Sequence, residues 1–71
     1  MYYAIFDQQT KEYRASGFNC TSKKECVEEG IDFLLQGDDY KDHYTDKPTI
    51  KNMENALAND ELIVEKSKTK F

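Results

Sequence analysis

The chain has 71 residues, 14 acidic and 10 basic side chains, and a formal net charge of −4. This length holds one domain with a modest core. Non-specific binding to nucleic acid and adsorption to an anionic membrane both depend on excess positive charge, so the composition argues against both classes. Five Tyr and four Phe favour a folded domain over disorder, because aromatic side chains bury large areas.

Targeting and membrane signals are not found in the sequence. No apolar run approaches the ~20 residues that span a bilayer, and the N-terminus lacks the basic and apolar regions of a signal peptide. We therefore predict a cytoplasmic protein. Cys20 and Cys26 are then expected to be reduced thiols, since two cysteines do not make the disulfide framework of a secreted domain.

The first predicted elements are two strands joined as a hairpin. Residues 2–7 are apolar and aromatic and end at a charge, which is typical of a strand. Residues 12–18 alternate between apolar and polar side chains, the period of a half-buried strand. The connector between them contains no glycine, so the tightest two-residue turns are not indicated.

The hairpin register decides which aromatic side chains face the core. A three-residue loop pairs Asp7 with Lys11, whereas a two- or four-residue loop pairs Asp7 with Glu12. We favour the first register because the second places two carboxylates opposite each other. In this register the inward residues are Tyr3, Ile5, Tyr13 and Ala15, and the outward residues are Tyr2, Ala4 and Phe6.

The clearest helix covers residues 22–37. Ser22 and Glu25 form a capping box, in which each side chain accepts the other residue's amide. Gly37 suits the left-handed position that ends many helices. Apolar side chains recur at three- and four-residue spacing, which predicts a helix packed on a sheet with Ile31 and Leu34 buried.

The second half of the chain supplies the remaining elements. Residues 38–47 are rich in charge and tyrosine and are predicted to be a solvated loop. Pro48 fits the first turn of a second helix that ends near Asn59. Residues 61–66 have the β-branched centre of a third strand.

The predicted fold is a single α+β domain over residues 1–66 with the order β-β-α-α-β. Two helices pack on one face of a three-stranded sheet. Residues 67–71 form a short basic tail that we expect to fray.

Motifs of metal sites and enzymes do not fit this sequence. No starting position in the acidic segment around His43 places the ligands and glycine of an EF-hand correctly. Cys20, Cys26 and His43 lack the spacing and the fourth ligand of a zinc site. Because no nucleophile elbow, P-loop or dinucleotide fingerprint is present either, we predict a non-enzymatic protein without cofactor. A small enzyme using Cys26 or His43 is a third alternative.

The main functional hypothesis is binding to a protein partner. Tyrosine is enriched in protein interfaces, and the outer face of the hairpin leaves aromatic residues open. The predicted contacts are Tyr2 and Phe6 on the sheet and Tyr40 and Tyr44 in the inter-helix loop. Self-association through the sheet is left open.

The alternative hypothesis is an acidic mimic of nucleic acid encoded by a phage or mobile element. Its carboxylates would take the role of phosphates on a partner's binding groove. The candidates are Glu28, Glu29, Asp32, Asp38, Asp39 and Asp42. An ordinary solvated surface is the simpler explanation, since runs of charge usually serve solubility.

Overall fold

The computed structural model describes residues 1–34 and 49–71. The elements in chain order are β1 (Tyr2–Asp7), β2 (Glu12–Tyr13), α1 (Lys23–Leu34), α2 (Ile50–Asn59) and β3 (Leu62–Ser67). The strands form one antiparallel sheet in the order β2-β1-β3, and both helices pack on the same face of it. The predicted α+β class and element order are confirmed. The predicted loop, Gly37 and Pro48 lie outside the described residues.

The core lies between the two helices and the inner face of the sheet. Ile5 from β1, Ile31 from α1 and Leu57 from α2 are the largest side chains that are fully buried there. The rest of the buried cluster consists of Cys20, Cys26, Val27, Met53 and Leu62. Ile31 is buried as predicted, whereas Leu34 is half-buried and packs against the edge of the cluster.

α1 lies close against β1 because Gly30 has no side chain. A Cβ built at Gly30 would overlap Cδ1 of Ile5 and would lie 3.2 Å from Cδ2 of Leu57. The glycine therefore permits a close approach of the first helix to the sheet and to the second helix. No helix within the two described stretches is both long and apolar enough to cross a bilayer.

Side-chain caps mark the starts of both helices. The amide of Glu25 donates to Oγ of Ser22 at 3.1 Å, which confirms the predicted start of α1. The amide of Asn52 donates to Oγ1 of Thr49 at 3.1 Å, so Thr49 is the N-cap of α2. α2 therefore begins after Thr49, because the extended backbone of Thr49 (φ −103°, ψ 162°) belongs to a cap.

The register of the hairpin differs from the favoured prediction. Phe6 pairs with Tyr13 and Asp7 pairs with Glu12, so residues 8–11 form a four-residue loop. The predicted pairing of Asp7 with Lys11 is wrong. Because paired residues of an antiparallel ladder lie on the same face, Tyr13 accompanies Phe6 on the face without helices.

The carboxylate of Asp7 explains why two acidic residues can face each other. Its Oδ1 accepts the amides of Gln9 at 2.9 Å and Thr10 at 3.2 Å. Its Oδ2 lies 3.5 Å from Nη1 of Arg14. These donors offset the charge of Asp7 while Glu12 stays exposed to water, so the expected repulsion is weak.

The second strand is shorter than the predicted span of residues 12–18. β2 ends at Tyr13, and the chain then leaves the sheet through Gly17, whose φ is +76°. It returns at Cys20, which exchanges two backbone hydrogen bonds with Tyr3 at 2.8 and 2.9 Å. Cys20 thus takes over as the neighbour of the first half of β1.

Lys11 provides a test of the observed register. Its amide donates to the carbonyl of Asp7 at 2.8 Å, and its φ is 63°. Lys11→Gly should raise the free energy of unfolding by up to about 1 kcal/mol, because the left-handed conformation costs other residues about 1–2 kcal/mol and glycine loses part of that gain in chain entropy. Urea denaturation measures it.

The matched control is Thr10→Gly in the same loop. Thr10 is exposed and does not have a positive φ, so glycine there should destabilise the domain slightly through chain entropy alone. If Lys11→Gly also destabilised the protein, Lys11 would have to be an extended strand residue, as in the three-residue loop.

Candidate functional site

The outer face of the sheet bears no helix in the part of the chain that the structure describes. Register places Phe6 on this face together with Tyr13 of β2 and Ile63 of β3. Side chains alternate along a strand, so Tyr2 and Ala4 share the face with Phe6. The other side of β1 carries Ile5 and faces the helices.

Four aromatic rings meet on this outer face, and we call Phe6, Tyr13, Phe18 and Phe71 the aromatic cluster. Tyr13 is at its centre, with ring centroids 5.3 Å from Phe6, 6.0 Å from Phe18 and 5.0 Å from Phe71. Phe18 and Phe71 also lie 6.4 Å apart. Edge-to-face and tilted pairs at these distances are favourable beyond the area they bury.

Tyr13 reaches across the full width of the sheet. Its backbone belongs to β2, whereas its hydroxyl donates to Oε1 of Glu65 in β3 at 2.5 Å. Glu65 pairs with Ala4 of the central strand. The Tyr13 side chain therefore crosses above Ala4, which accounts for the complete burial of Ala4 on a face without helices. The hydrogen bond to the Glu65 carboxylate is the main cause that raises the pKa of Tyr13.

The end of the sequence is attached to the same face. The amide of Phe71 donates to Oδ1 of Asn19 at 2.7 Å. The turn that leads there is closed by the amide of Thr69, which donates to Oγ of Ser67 at 3.1 Å. These contacts tie Phe71 to the sheet, within the segment 67–71 that the sequence predicts to fray.

The aromatic cluster is only partly closed by its own rings. Tyr13 and Phe18 are each 42% exposed, while the other two rings are half-buried. Lys68 and Lys70 precede Phe71 and are exposed. The surface thus has an apolar centre, and the two residues that flank Thr69 just before Phe71 in the sequence are basic.

The predicted sheet contacts fall on this face. Phe6 belongs to the aromatic cluster, and Tyr2 lies at the far end of β1, opposite Ser67. Tyr2 and Phe6 are both half-buried. The predicted contacts Tyr40 and Tyr44 lie outside the described residues.

Sequence reasoning missed the centre of the cluster. The favoured register places Tyr13 in the core, whereas the observed pairing of Phe6 with Tyr13 places it on the outer face. No local pattern indicates that Phe71 joins it. A usable signal was present in Asp7 followed by Gln9 and Thr10, because aspartate at the end of a strand often accepts the amides of the following turn. That signal favours the four-residue loop and with it the outward position of Tyr13.

The acidic candidates of α1 are exposed but largely engaged within the molecule. Glu28 lies 3.8 Å from the ammonium of Lys24. The carboxylate of Glu29 accepts the amide of Gly17 at 2.9 Å. Asp32 is exposed on the same helix. The remaining candidates, Asp38, Asp39 and Asp42, lie outside the described residues.

The two cysteines are free thiols inside the domain. Burial raises the pKa of Cys20 to about 11 and that of Cys26 to about 12. Sγ of Cys26 also donates to the carbonyl of Gly17 at 3.2 Å. Since the thiolate is the reactive form, neither thiol is an activated nucleophile at neutral pH. His43, the other candidate of the enzyme hypothesis, is not among the described residues.

Phe33 on α1 provides an internal comparison for the cluster. It is 43% exposed, nearly the same as Phe18, but its ring lies under the guanidinium of Arg14 at 4.4 Å. Phe33 thus presents one aromatic ring with a cation on it, whereas the aromatic cluster presents four rings together.

Comparison of the chain with family models, with curated proteins and with solved structures finds no match.

Proposed function

We propose that this chain is a small, non-enzymatic cytoplasmic protein that binds a protein partner through the aromatic cluster. The observation that carries the proposal is the exposure of Tyr13 and Phe18 at 42% each within a patch of four rings. Contiguous apolar area of this kind is a liability for solubility unless a partner covers it. Aromatic side chains are also the residues that most often anchor protein interfaces.

The arrangement of the rings favours a protein over a nucleic acid as the partner. Bases bind aromatic side chains by stacking on an open ring face. In the cluster, Tyr13 meets Phe6 and Phe18 at interplanar angles of 65° and 63°, so the rings do not form a stacking platform. The net charge of −4 further opposes binding to phosphates.

The surroundings of the cluster define the chemistry of the partner. The hydroxyl of Tyr13 is already bound to Glu65, so the centre of the surface recognises apolar side chains. Lys68 and Lys70, which are exposed and close to Phe71 in the sequence, would complement carboxylates. We therefore expect a partner surface with an apolar centre and acidic residues around it.

The cluster is also held in place before binding. Tyr13 is fixed by Glu65, and Phe71 is fixed by the hydrogen bond of its amide to Asn19. Side chains that are ordered in the free protein lose little entropy when a partner binds. Rigid aromatic residues of this kind are suited to anchor an interface.

Phe18→Ser tests the proposal, with Phe33→Ser as the matched control of equal exposure. The partner is first captured from the native host, identified by mass spectrometry and purified. Isothermal titration calorimetry should then show affinity reduced at least about tenfold by Phe18→Ser, since anchor residues contribute about 2 kcal/mol or more. Phe33→Ser should change the affinity less than about twofold. Circular dichroism checks that both variants are folded.

Several outcomes would contradict the proposal. If Phe18→Ser and Phe33→Ser weakened binding equally, or if neither weakened it, the partner would not bind through the aromatic cluster. If light scattering showed a dimer that Phe18→Ser converts to a monomer, the bound protein would be a second copy of the chain. If Asp32→Asn abolished binding of the partner, and if the affinity of the wild type fell steeply with rising salt, the result would instead favour the acidic mimic.

A further inference from the structure

A second group of side chains, apart from the aromatic cluster, brings three potential metal ligands together. Sγ of Cys20 and one carboxylate oxygen from each of Glu25 and Glu29 lie within 4.8 Å of one another. Glu25 and Glu29 are four residues apart on α1, so their side chains are neighbours on the helix. Cys20 faces them from the segment that is hydrogen-bonded to Tyr3. We call Cys20, Glu25 and Glu29 the thiol–carboxylate cluster.

The separations within this cluster fit the ligands of a small ion. Sγ of Cys20 lies 3.6 Å from Oε2 of Glu29. Two ligands of a tetrahedral zinc ion are about 3.3–3.5 Å apart, given Zn–S near 2.3 Å and Zn–O near 2.0 Å. Glu25 is exposed, so its side chain can rotate until its carboxylate oxygen reaches coordination distance of the same ion.

Two of the three ligands are already held in place. Oε2 of Glu29 accepts the amide of Gly17 at 2.9 Å, which fixes the carboxylate. Cys20 is only 6% exposed. Sγ of Cys20 itself donates a hydrogen bond to Oε2 of Glu29 at 3.6 Å. Hydrogen bonds of this kind orient metal ligands and strengthen the site.

Within the described residues, no basic side chain is paired with the carboxylates of the cluster. The ion pairs among residues 1–34 and 49–71 involve Asp7, Glu28 and Glu54 on the acidic side, and neither Glu25 nor Glu29. Two carboxylates this close repel each other, and a bound cation would remove the repulsion.

We propose that Cys20, Glu25 and Glu29 bind a divalent cation of the zinc type, with water in the fourth position. The ligand set identifies the ion, because Mg²⁺ and Ca²⁺ prefer oxygen alone and Cu⁺ prefers sulfur alone. The zinc motifs that the sequence does not match are built from Cys and His. The proposed site uses one cysteine and two glutamates instead. This site is independent of the proposed protein-binding function.

The ion must displace a proton from the thiol. The thiolate, not the thiol, is the form of cysteine that binds a metal ion. Binding should therefore release one proton per ion, and the affinity should rise with pH.

Cobalt(II) is the probe, because a bond between cobalt and a thiolate gives a charge-transfer absorption in the near ultraviolet. The full reduced chain is titrated both as wild type and with His43→Gln, which removes the only imidazole. We expect the absorption to appear in both, to saturate at one ion per chain and to disappear when Zn²⁺ is added. A pH indicator should record the release of one proton.

Variants of single ligands decide the ligand set. Cys20→Ser should abolish the absorption, and Glu25→Gln should weaken cobalt binding at least about tenfold. Glu28→Gln is the matched control, since Glu28 lies on the same helix and pairs with Lys24 instead. Glu28→Gln and Phe18→Ser should both bind cobalt like the wild type.

The proposal is overturned if cobalt gives no thiolate absorption or if the absorption persists in Cys20→Ser. It is also overturned if Cys26→Ala abolishes the absorption while Cys20→Ser keeps it, or if Glu25→Gln and Glu28→Gln behave alike. Should Cys20→Ser fail to fold, the comparison of Glu25→Gln with Glu28→Gln decides alone, because both residues are exposed.

Discussion

Replacing Leu57 by alanine is expected to lower the free energy of unfolding by about 2–5 kcal/mol. Leu57 is fully buried, and its methyl groups occupy the space above Gly30 where the two helices meet. Truncation leaves a cavity at this contact. Domains are stable by only about 0.05–0.15 kcal/mol per residue, so this loss removes a large fraction of the total stability.

Urea denaturation followed by circular dichroism measures the effect. The control is Ile50→Ala in the same helix, since Ile50 is 37% exposed and should cost less than about 1 kcal/mol. Leu34→Ala should lower the free energy of unfolding by an intermediate amount, because Leu34 is half-buried. A Leu57→Ala protein as stable as Ile50→Ala would mean that α2 does not pack on the core in the manner described.

Gly17→Ala is expected to cost about 2–5 kcal/mol from two sources. The left-handed backbone at φ +76° costs an alanine about 1–2 kcal/mol. The added Cβ would also lie 2.9 Å from the carbonyl oxygen of Cys26, a backbone atom of α1 that cannot turn aside. Forcing atoms into a packed core costs about 1–3 kcal/mol.

Thermal unfolding should show this as a fall in Tm of at least about 8 °C, given about 4–8 °C per kcal/mol for a domain of this size. The control is Ala15→Gly, an exposed residue of the same loop, which should lower the Tm only slightly through chain entropy. An unchanged Tm for Gly17→Ala would show that residues 15–19 do not press against α1. In that case the hydrogen bond from the amide of Gly17 to the carboxylate of Glu29 could not hold Glu29 in place either.

The fold class and the start of the first helix were predictable because their signals are local. The apolar stripe of α1 contains Val27 and Ile31, which are both buried, and Ser22 caps the helix as its spacing with Glu25 indicates. The hairpin register depends on a side chain. Treating Asp7 as a free charge favours the wrong pairing. The tendency of aspartate to accept the amides of a following turn is readable from the sequence, whereas the contact of Arg14 with Asp7 is visible only in the folded loop.

The two candidate sites could not be predicted from spacing. The aromatic cluster joins Tyr13 and Phe18 to Phe71 at the other end of the chain, through the pairing of β1 with β3 and the contact of Asn19. The thiol–carboxylate cluster joins Cys20, which pairs with Tyr3 of β1, to Glu25 and Glu29 on α1. Both arise from tertiary packing, and no local pattern carries that information.

The strand order has a consequence for how the domain folds during synthesis. The central strand β1 is made first, whereas its longest partner, β3, is made last, and Asp7 meets Leu62 across nearly the whole chain. Until then the pairing partners of β1 are β2 and the bridge residue Cys20, and an isolated two-stranded hairpin is marginal in water. Closing so long a loop before the core can form is entropically costly and slows folding. The emerging chain therefore carries its most aromatic strand without its longest partner until β3 has been made, and this is the period in which chaperones or aggregation would act on it.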